Sequence, residues 1–446
     1  MAETARTLGP GATARALLAL TRGDRVEHLT RLAAARPHGS VLRLPTGRVV
    51  VACHPDVVKH VLVEHADRYI KGMGQLHARE IIGDGLLTAE GPAWQRQRAA
   101  ARPQLRARAV QDRLGQVVEA AHEAADRLCA ADGRRVDLTV HLASYTLTCL
   151  ARTFGFDPPD GRRIHEAFEV VQDEAIFRAV TQGAVPLRWR PRRAAAVAAA
   201  LRTLHAEARG SLGGTPRTEA WAGDEGMMSL FLAGYETTAS TLAWAAGFLA
   251  HDAALQDRLA DEGARLDRGR TPTVADVASL TWAHAVFQDT LRLRPPVWLI
   301  SRRAVAADVV SGVRLRPGDE VLLLPGATSP DRSFEPGRAV RGEGPPSPLA
   351  FGAGPRSCPG VALAVMEGVV WLAVVASRVR LHAVPDRALH PLARMSQAPA
   401  GGTVVDVRAR TAPGGTAPAG TAQARTAQAR TAQARTAHPH PTGSPA

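Results

Sequence analysis

A single cysteine in a glycine-rich turn, directly ahead of an apolar helix-forming run, constrains this chain more than any other feature. The turn reads Phe351-Gly352-Ala353-Gly354-Pro355-Arg356-Ser357-Cys358-Pro359-Gly360, and an apolar stretch from Val361 to Ala376 follows it at once. A buried structural thiol is the usual role of a lone cysteine. The three glycines of this turn argue otherwise, because a merely packed cysteine needs no such backbone. At a helix N-terminus, with Arg356 close by in sequence, a thiolate is stabilised by backbone N–H groups and by positive charge. That arrangement suits a metal taking one soft, strongly donating axial ligand, haem iron first among them.

With 446 residues the chain can bury a large core. Aromatics make up only 4%, so the interior is expected to be aliphatic and helix-rich. The formal charge is +13, and 411–446 contributes three arginines (Arg425, Arg430, Arg435) and no acid. A basic chain can bind nucleic acid, but the arginines scatter through helical segments and form no recognition motif, so no nucleic-acid role is expected. A basic docking face for an acidic protein partner is the favoured use of the charge, set against general solvation. Cys53, Cys129, Cys149 and Cys358 form no CxxC and no zinc spacing, and read as free thiols of a reducing compartment. No membrane-length apolar run and no signal peptide are read from the sequence, so a soluble, cytoplasmic, monomeric protein is expected.

The periodicity predicts helices at 24–35, 55–65, 94–105, 110–130, 138–153, 161–179, 192–209, 252–265, 274–280 and 281–293. Strands at 41–44 and 49–52 flank Pro45-Thr46-Gly47 as a hairpin. The stretch 221–251 is apolar all round, which marks a central helix. Residues 69–91, with five glycines, read as a long connector able to line and gate a site. Short strand-like pieces fall between 298 and 324, and 325–348 reads as irregular coil. Residues 1–12 read as flexible, and 13–410 as one folded domain. In 411–446, TAQAR repeats three times at 421–435 with no apolar face, which predicts a disordered tail.

Four separated segments, in order, resemble one family. They are Phe351, Gly354, Arg356, Cys358 and Gly360 of the cysteine loop; Ala233-Gly234-Tyr235-Glu236-Thr237-Thr238 in the long apolar helix; Asp289-Thr290-Leu291-Arg292 ahead of Leu293-Arg294-Pro295-Pro296; and Trp94-Gln95-Arg96-Gln97-Arg98. Together they resemble the cytochrome P-450 superfamily of haem-thiolate monooxygenases, in its soluble bacterial type. The resemblance implies a mainly α fold with a small β part: a triangular helical domain with haem b (iron protoporphyrin IX) between the long helix and the cysteine loop. Cys358 is then the iron ligand, with Phe351 limiting water at the sulfur and Gly354 permitting close approach to the haem. N–H groups after Cys358, Gly360 among them, temper its charge. Gly234 leaves room for dioxygen, while Thr237 and Glu236 relay protons, aided by a local helix distortion. Trp94, Arg98, Arg303 and Arg356 anchor the propionates, with Arg302 able to replace its neighbour. Ala364, Met366 and Glu367 are expected to be plain helix-face residues.

The chain departs from the family pattern in three places. Asp289 stands where a glutamate is usual, so its i,i+3 pair with Arg292 and its link to a third member, Arg338, rest on a shorter side chain. The coil before the cysteine loop looks shortened around 329–338, and only 24 residues separate Arg209 from Gly234, where the family usually fits another helix. The implied reaction is hydroxylation or epoxidation of an apolar small molecule (terpenoid, polyketide or fatty acyl) by dioxygen. Electrons come from a ferredoxin or flavodoxin with its NAD(P)H reductase, docking near Arg96, Arg98 and Arg102. Analogy gives Leu76, Ile81, Ile82, Phe168, Val171, Leu230, Ala233, Val297, Leu299 and Ala398 as the pocket. A haem-thiolate isomerase or peroxygenase without redox partner, and a non-catalytic haem-binding protein, are the alternatives; the Glu236–Thr237 pair argues against the first.

Overall fold

The structure, a computed structural model, describes residues 5–21, 25–44, 47–181, 183–212, 224–329, 331–343 and 349–410. The expected disordered tail and the segment ahead of the long helix lie outside the described residues. Arg6–Thr7, within the lead expected to be flexible, pairs in parallel with Ser40–Val41, and a helix begins at Pro10.

Helices dominate, as the composition predicts. The apolar stretch forms the helix Asp224–Leu249, hereafter the central helix. Its neighbours Leu138–Phe154 and Val361–Arg378 (the cysteine helix) pack with it into one aliphatic core. Gly234 sets the first packing distance: a Cβ there would lie 2.7 Å from a Leu150 methyl. The cysteine helix is a correction to the membrane reading. It is long and apolar enough to cross a bilayer by composition, yet 67% of it is buried against its neighbours in the fold.

The β part is small. A six-stranded sheet runs in the order Arg6–Thr7, Ser40–Leu44, Gly47–Ala52, Glu320–Leu323, Ile300–Ala304, Tyr69–Lys71. The predicted hairpin is there, with Ser40 opposite Val51; its turn residues Pro45 and Thr46 lie outside the described residues. Strands after the cysteine helix, such as Val379–Ala383 pairing Val404–Ala409, were not read from the sequence.

Three segments differ from expectation. The 69–91 connector contains the strand Tyr69–Lys71 and the helix Met73–Ile82, which buries Ala78, Ile81 and Ile82. Its glycines disguised the i, i+3, i+4 pattern, because Gly72 and Gly83 cap the helix rather than loosen it. The 55–65 helix widens after Lys59 into a π turn, His60–Glu64. The 110–130 helix divides into Ala107–Gln111 and Leu114–Cys129.

Candidate active site

Between the central helix and the cysteine loop lies a cavity of about 340 Å³. The loop closes on itself, with the Cys358 N–H donating to Phe351 O at 2.8 Å and the Ser357 N–H donating to Gly354 O at 3.0 Å. Gly352 and Gly354 both sit at positive φ, 71° and 68°. Cys358 is exposed where Cys53 and Cys149 are buried and Cys129 half-buried, and the space it opens to is this internal cavity. Burial pushes its thiol up, while the Gly360 N–H and then Arg98 pull it down. Phe351 and Gly360 also line the cavity. Gly354 does not. A Cβ there would run into the Leu62 carbonyl, so this glycine lets the loop seat against the π turn.

The central helix supplies the opposite chemistry. Gly234, Glu236 and Thr237 all line the cavity. The missing side chain of Gly234 points at Leu150, so its first duty is packing. The helix runs unbroken past Thr237, whose hydroxyl donates to Ala233 O at 3.1 Å; the expected distortion is absent. Glu236 accepts from Gln172 Nε2 at 3.2 Å. Burial pushes its carboxyl up, with the Ser396 and Gln172 hydrogen bonds opposing.

Cations crowd one end. Lys71, Arg98, Arg302 and Arg356 line the cavity together with Trp94. Arg356 stacks on the Trp94 indole at 3.7 Å and pairs with Glu90, whose other oxygen accepts the Lys71 backbone N–H. Arg302 is pushed down to about 10, by burial first and then by Arg356. Arg303 is not among them. Alternation along the strand Ile300–Ala304 turns it away, onto Glu320 at 3.0 Å, and its neighbour Arg302 faces the cavity instead. Lys71 was not read from the sequence. Its ammonium donates to the carbonyls of Leu87, Leu86 and Ala89, and burial, then Arg356, push it down to about 7. A thiol among apolar walls, with more cations than the one carboxylate Glu90 balances, is a donor set that fits an iron porphyrin carrying two carboxylates.

Comparison with known proteins agrees. The chain matches the cytochrome P-450 family profile over residues 17–159 and 225–399, more than half its length. It is 29% identical to cyclooctatin synthase of Streptomyces melanosporofaciens, with 82% of this chain and 88% of that one covered. To the pentalenene oxygenase of Streptomyces avermitilis it is 26% identical, covering 80% and 87%. A six-coordinated cytochrome P-450 from Thermus thermophilus superposes with a TM-score of 0.69 at 27% identity, covering 86% of this chain and 99% of that one. The chain is a cytochrome P-450 monooxygenase.

The family's cofactor is haem iron, and this P-450 stiffens the region before its cysteine loop with a network that survives the aspartate. Arg292 Nε donates to Asp289 Oδ1 at 2.6 Å, and the other Asp289 oxygen accepts the Glu335 N–H at 2.7 Å. The Arg292 guanidinium also donates to Asp331 O and Ser333 O, both at 2.7 Å. Arg338 does not reach Asp289. It pairs with Asp331 and bonds Ser333, holding the same segment from its other side.

Of the expected pocket residues, Phe168, Leu230, Ala233, Val297 and Leu299 line the cavity. Ile81, Ile82 and Val171 are buried in the general core instead. Leu76 and Ala398 also stand outside the lining, where Leu86, Leu87, Leu150 and Met395 take their places. These came from elements whose exposure to the cavity has no periodic signature. Ala364 and Glu367 also face the cavity, whereas Met366 is core. Burial pushes the Glu367 carboxyl well above the usual range, with Thr238 opposing.

Proposed function

We propose that this P-450 oxygenates an apolar terpenoid, taking two electrons from a separate ferredoxin or flavodoxin. The observation that carries this reading is one cavity holding a thiol, a half-buried carboxyl–hydroxyl pair and apolar walls made mostly of leucine, with alanine and phenylalanine. The relatives cyclooctatin synthase and pentalenene oxygenase, named for terpenoid chemistry, support the class. Haem b, held by the Cys358 thiolate, supplies dioxygen activation and the transfer of one oxygen atom to a C–H or C=C bond.

The chain's own residues do the rest. Trp94, Arg98, Arg302 and Arg356 hold the two propionates by charge-assisted hydrogen bonds, while Lys71, its donors taken up by three carbonyls, adds only positive potential. The Gly360 N–H tempers the sulfur's charge. Burial shifts Glu236 toward its protonated form, and Thr237 Oγ1 passes the proton on, exchanging its bond to Ala233 O for one directed into the cavity. The leucine walls hold an apolar substrate by exclusion of water and leave few polar handles. Arg96, Arg102, Arg106 and Arg108 are exposed on or beside the helix Gly91–Leu105 and suit an acidic electron donor. Arg98, which lines the cavity, leaves that docking set. The protein is read as one cytoplasmic, monomeric haem domain over 13–410.

The test is the carbon monoxide spectrum of the dithionite-reduced protein, followed by titration with pentalenene. A strongly red-shifted Soret band that Cys358→Ser abolishes, and a spin-state shift on adding the terpene, are expected. A haem-loaded protein without the red shift, or one that pentalenene and related cyclic terpenes leave spectrally unchanged, overturns the reading.

A further inference from the structure

Glu236 has an unusual keeper. Buried carboxylates that must stay charged are held by cations. Arg394, the cation whose charge acts on it, is turned elsewhere: it pairs with Glu169 and donates to Asp173 Oδ1 at 2.8 Å. What reaches Glu236 is neutral: the Ser396 hydroxyl, and the amide of Gln172 from the helix Gly161–Thr181, itself only 2% exposed.

The amide's orientation is not free. The Ser396 N–H lies 3.4 Å from Gln172 Oε1, and a backbone N–H can only donate. That contact sets the amide oxygen toward Ser396 and the NH₂ toward Glu236. An amide NH₂ can only donate as well, so Glu236 Oε1, 3.2 Å away, must accept. The carbonyl oxygen of a carboxylic acid is a better acceptor than its hydroxyl oxygen, so the donor at Oε1 favours the proton of a neutral Glu236 on Oε2.

We infer that Gln172, locked by the Ser396 backbone, is a positioning residue that fixes the acidic proton of Glu236 on Oε2 and leaves Oε1 as its carbonyl. The inference rests on the reading of Glu236 as a protonated donor. It assigns Gln172 no contact with substrate or cofactor. A cation at position 172 would hold the group as a carboxylate, and an apolar residue would let the proton sit on either oxygen.

Infrared difference spectroscopy of the haem-loaded, full-length protein at neutral pH tests this without turnover. Glu236→Gln identifies the carboxylic acid C=O band by its loss. Gln172→Met and Gln172→Leu, two variants of similar volume, should each move that band to higher frequency, because the carbonyl loses its donor. The thiolate carbon monoxide band should stay in place. A band lost in Glu236→Gln but unmoved in both Gln172 variants overturns the inference and leaves the acid reading intact. Loss of no acid band in Glu236→Gln means Glu236 is ionised, and overturns the reading on which the inference stands.

Discussion

Gly354→Ala should disturb the cysteine loop far more than the same methyl added at Gly352 or Gly360. At both Gly352 and Gly354 the backbone is left-handed, which costs an alanine about 1 kcal/mol. Space separates the two. The Gly352 Cβ would stand 3.8 Å from its nearest neighbour, whereas the Gly354 Cβ would lie 2.9 Å from the Leu62 carbonyl carbon and nearer still to its oxygen. Backbone cannot rotate out of the way as a side chain can, so loop and π turn must part by roughly an ångström, an overpacking cost of about 1–3 kcal/mol. The hydrogen bonds from Cys358 to Phe351 and from Ser357 to Gly354 distort with it, at about 1 kcal/mol each. The sum is about 4–6 kcal/mol for Gly354→Ala and about 1 kcal/mol for Gly352→Ala. Gly360 has negative φ, and its Cβ would meet Cys358 Sγ at an ordinary 3.8 Å, so its alanine should be nearly neutral. Thermal melting of the three variants, read beside the red-shifted carbon monoxide band, gives both stability and thiolate ligation. A Gly354→Ala protein that melts with Gly352→Ala and keeps the full thiolate band refutes the reasoning.

Two further outcomes are expected. Arg302→Ala should lower haem retention through gel filtration, while Arg303→Ala, which strands the buried Glu320, should cost about 1–3 kcal/mol and leave haem content alone; equal haem loss in both would place the anchor wrongly. Asp308 should give the fold part of its acid sensitivity. Burial raises its carboxyl, but hydrogen bonds from Tyr69, His60 and the Val309 N–H outweigh that and hold it at about 2. A carboxyl lowered in the folded state stabilises above its unfolded value of about 4 and loses that contribution as pH falls toward 2. Asp308→Asn should therefore lose roughly 2 kcal/mol at neutral pH, with the deficit shrinking between about pH 4 and pH 2 in urea midpoints. A deficit independent of pH across that window would reject the assignment.

Much of the fold was legible because its signals are local. The all-round apolarity of 224–249, the 3.6-residue stripes and the hairpin Ser40–Ala52 need only near neighbours along the chain. Where local signals conflict, the reading failed. Gly72, Gly74 and Gly83 hid the helix Met73–Ile82, because a glycine that caps looks in sequence like a glycine that loosens. The cysteine loop was legible for the same local reason: three glycines, an arginine and a thiol within ten residues specify a turn and its chemistry together.

The sequence by itself determined that this protein places a thiol at the head of an apolar helix and an acid–threonine pair on another, and that its core is aliphatic. Tertiary structure alone decided which groups face the shared cavity. Arg302 rather than Arg303 lines it, because strand register sends adjacent side chains to opposite faces. Lys71 joins the cations because three carbonyls of the loop 86–89 fold over it. Gln172 meets Glu236 across 64 residues of chain. Such meetings depend on how helices and strands pack against one another, and that packing is set by the whole core, which no short window of sequence contains.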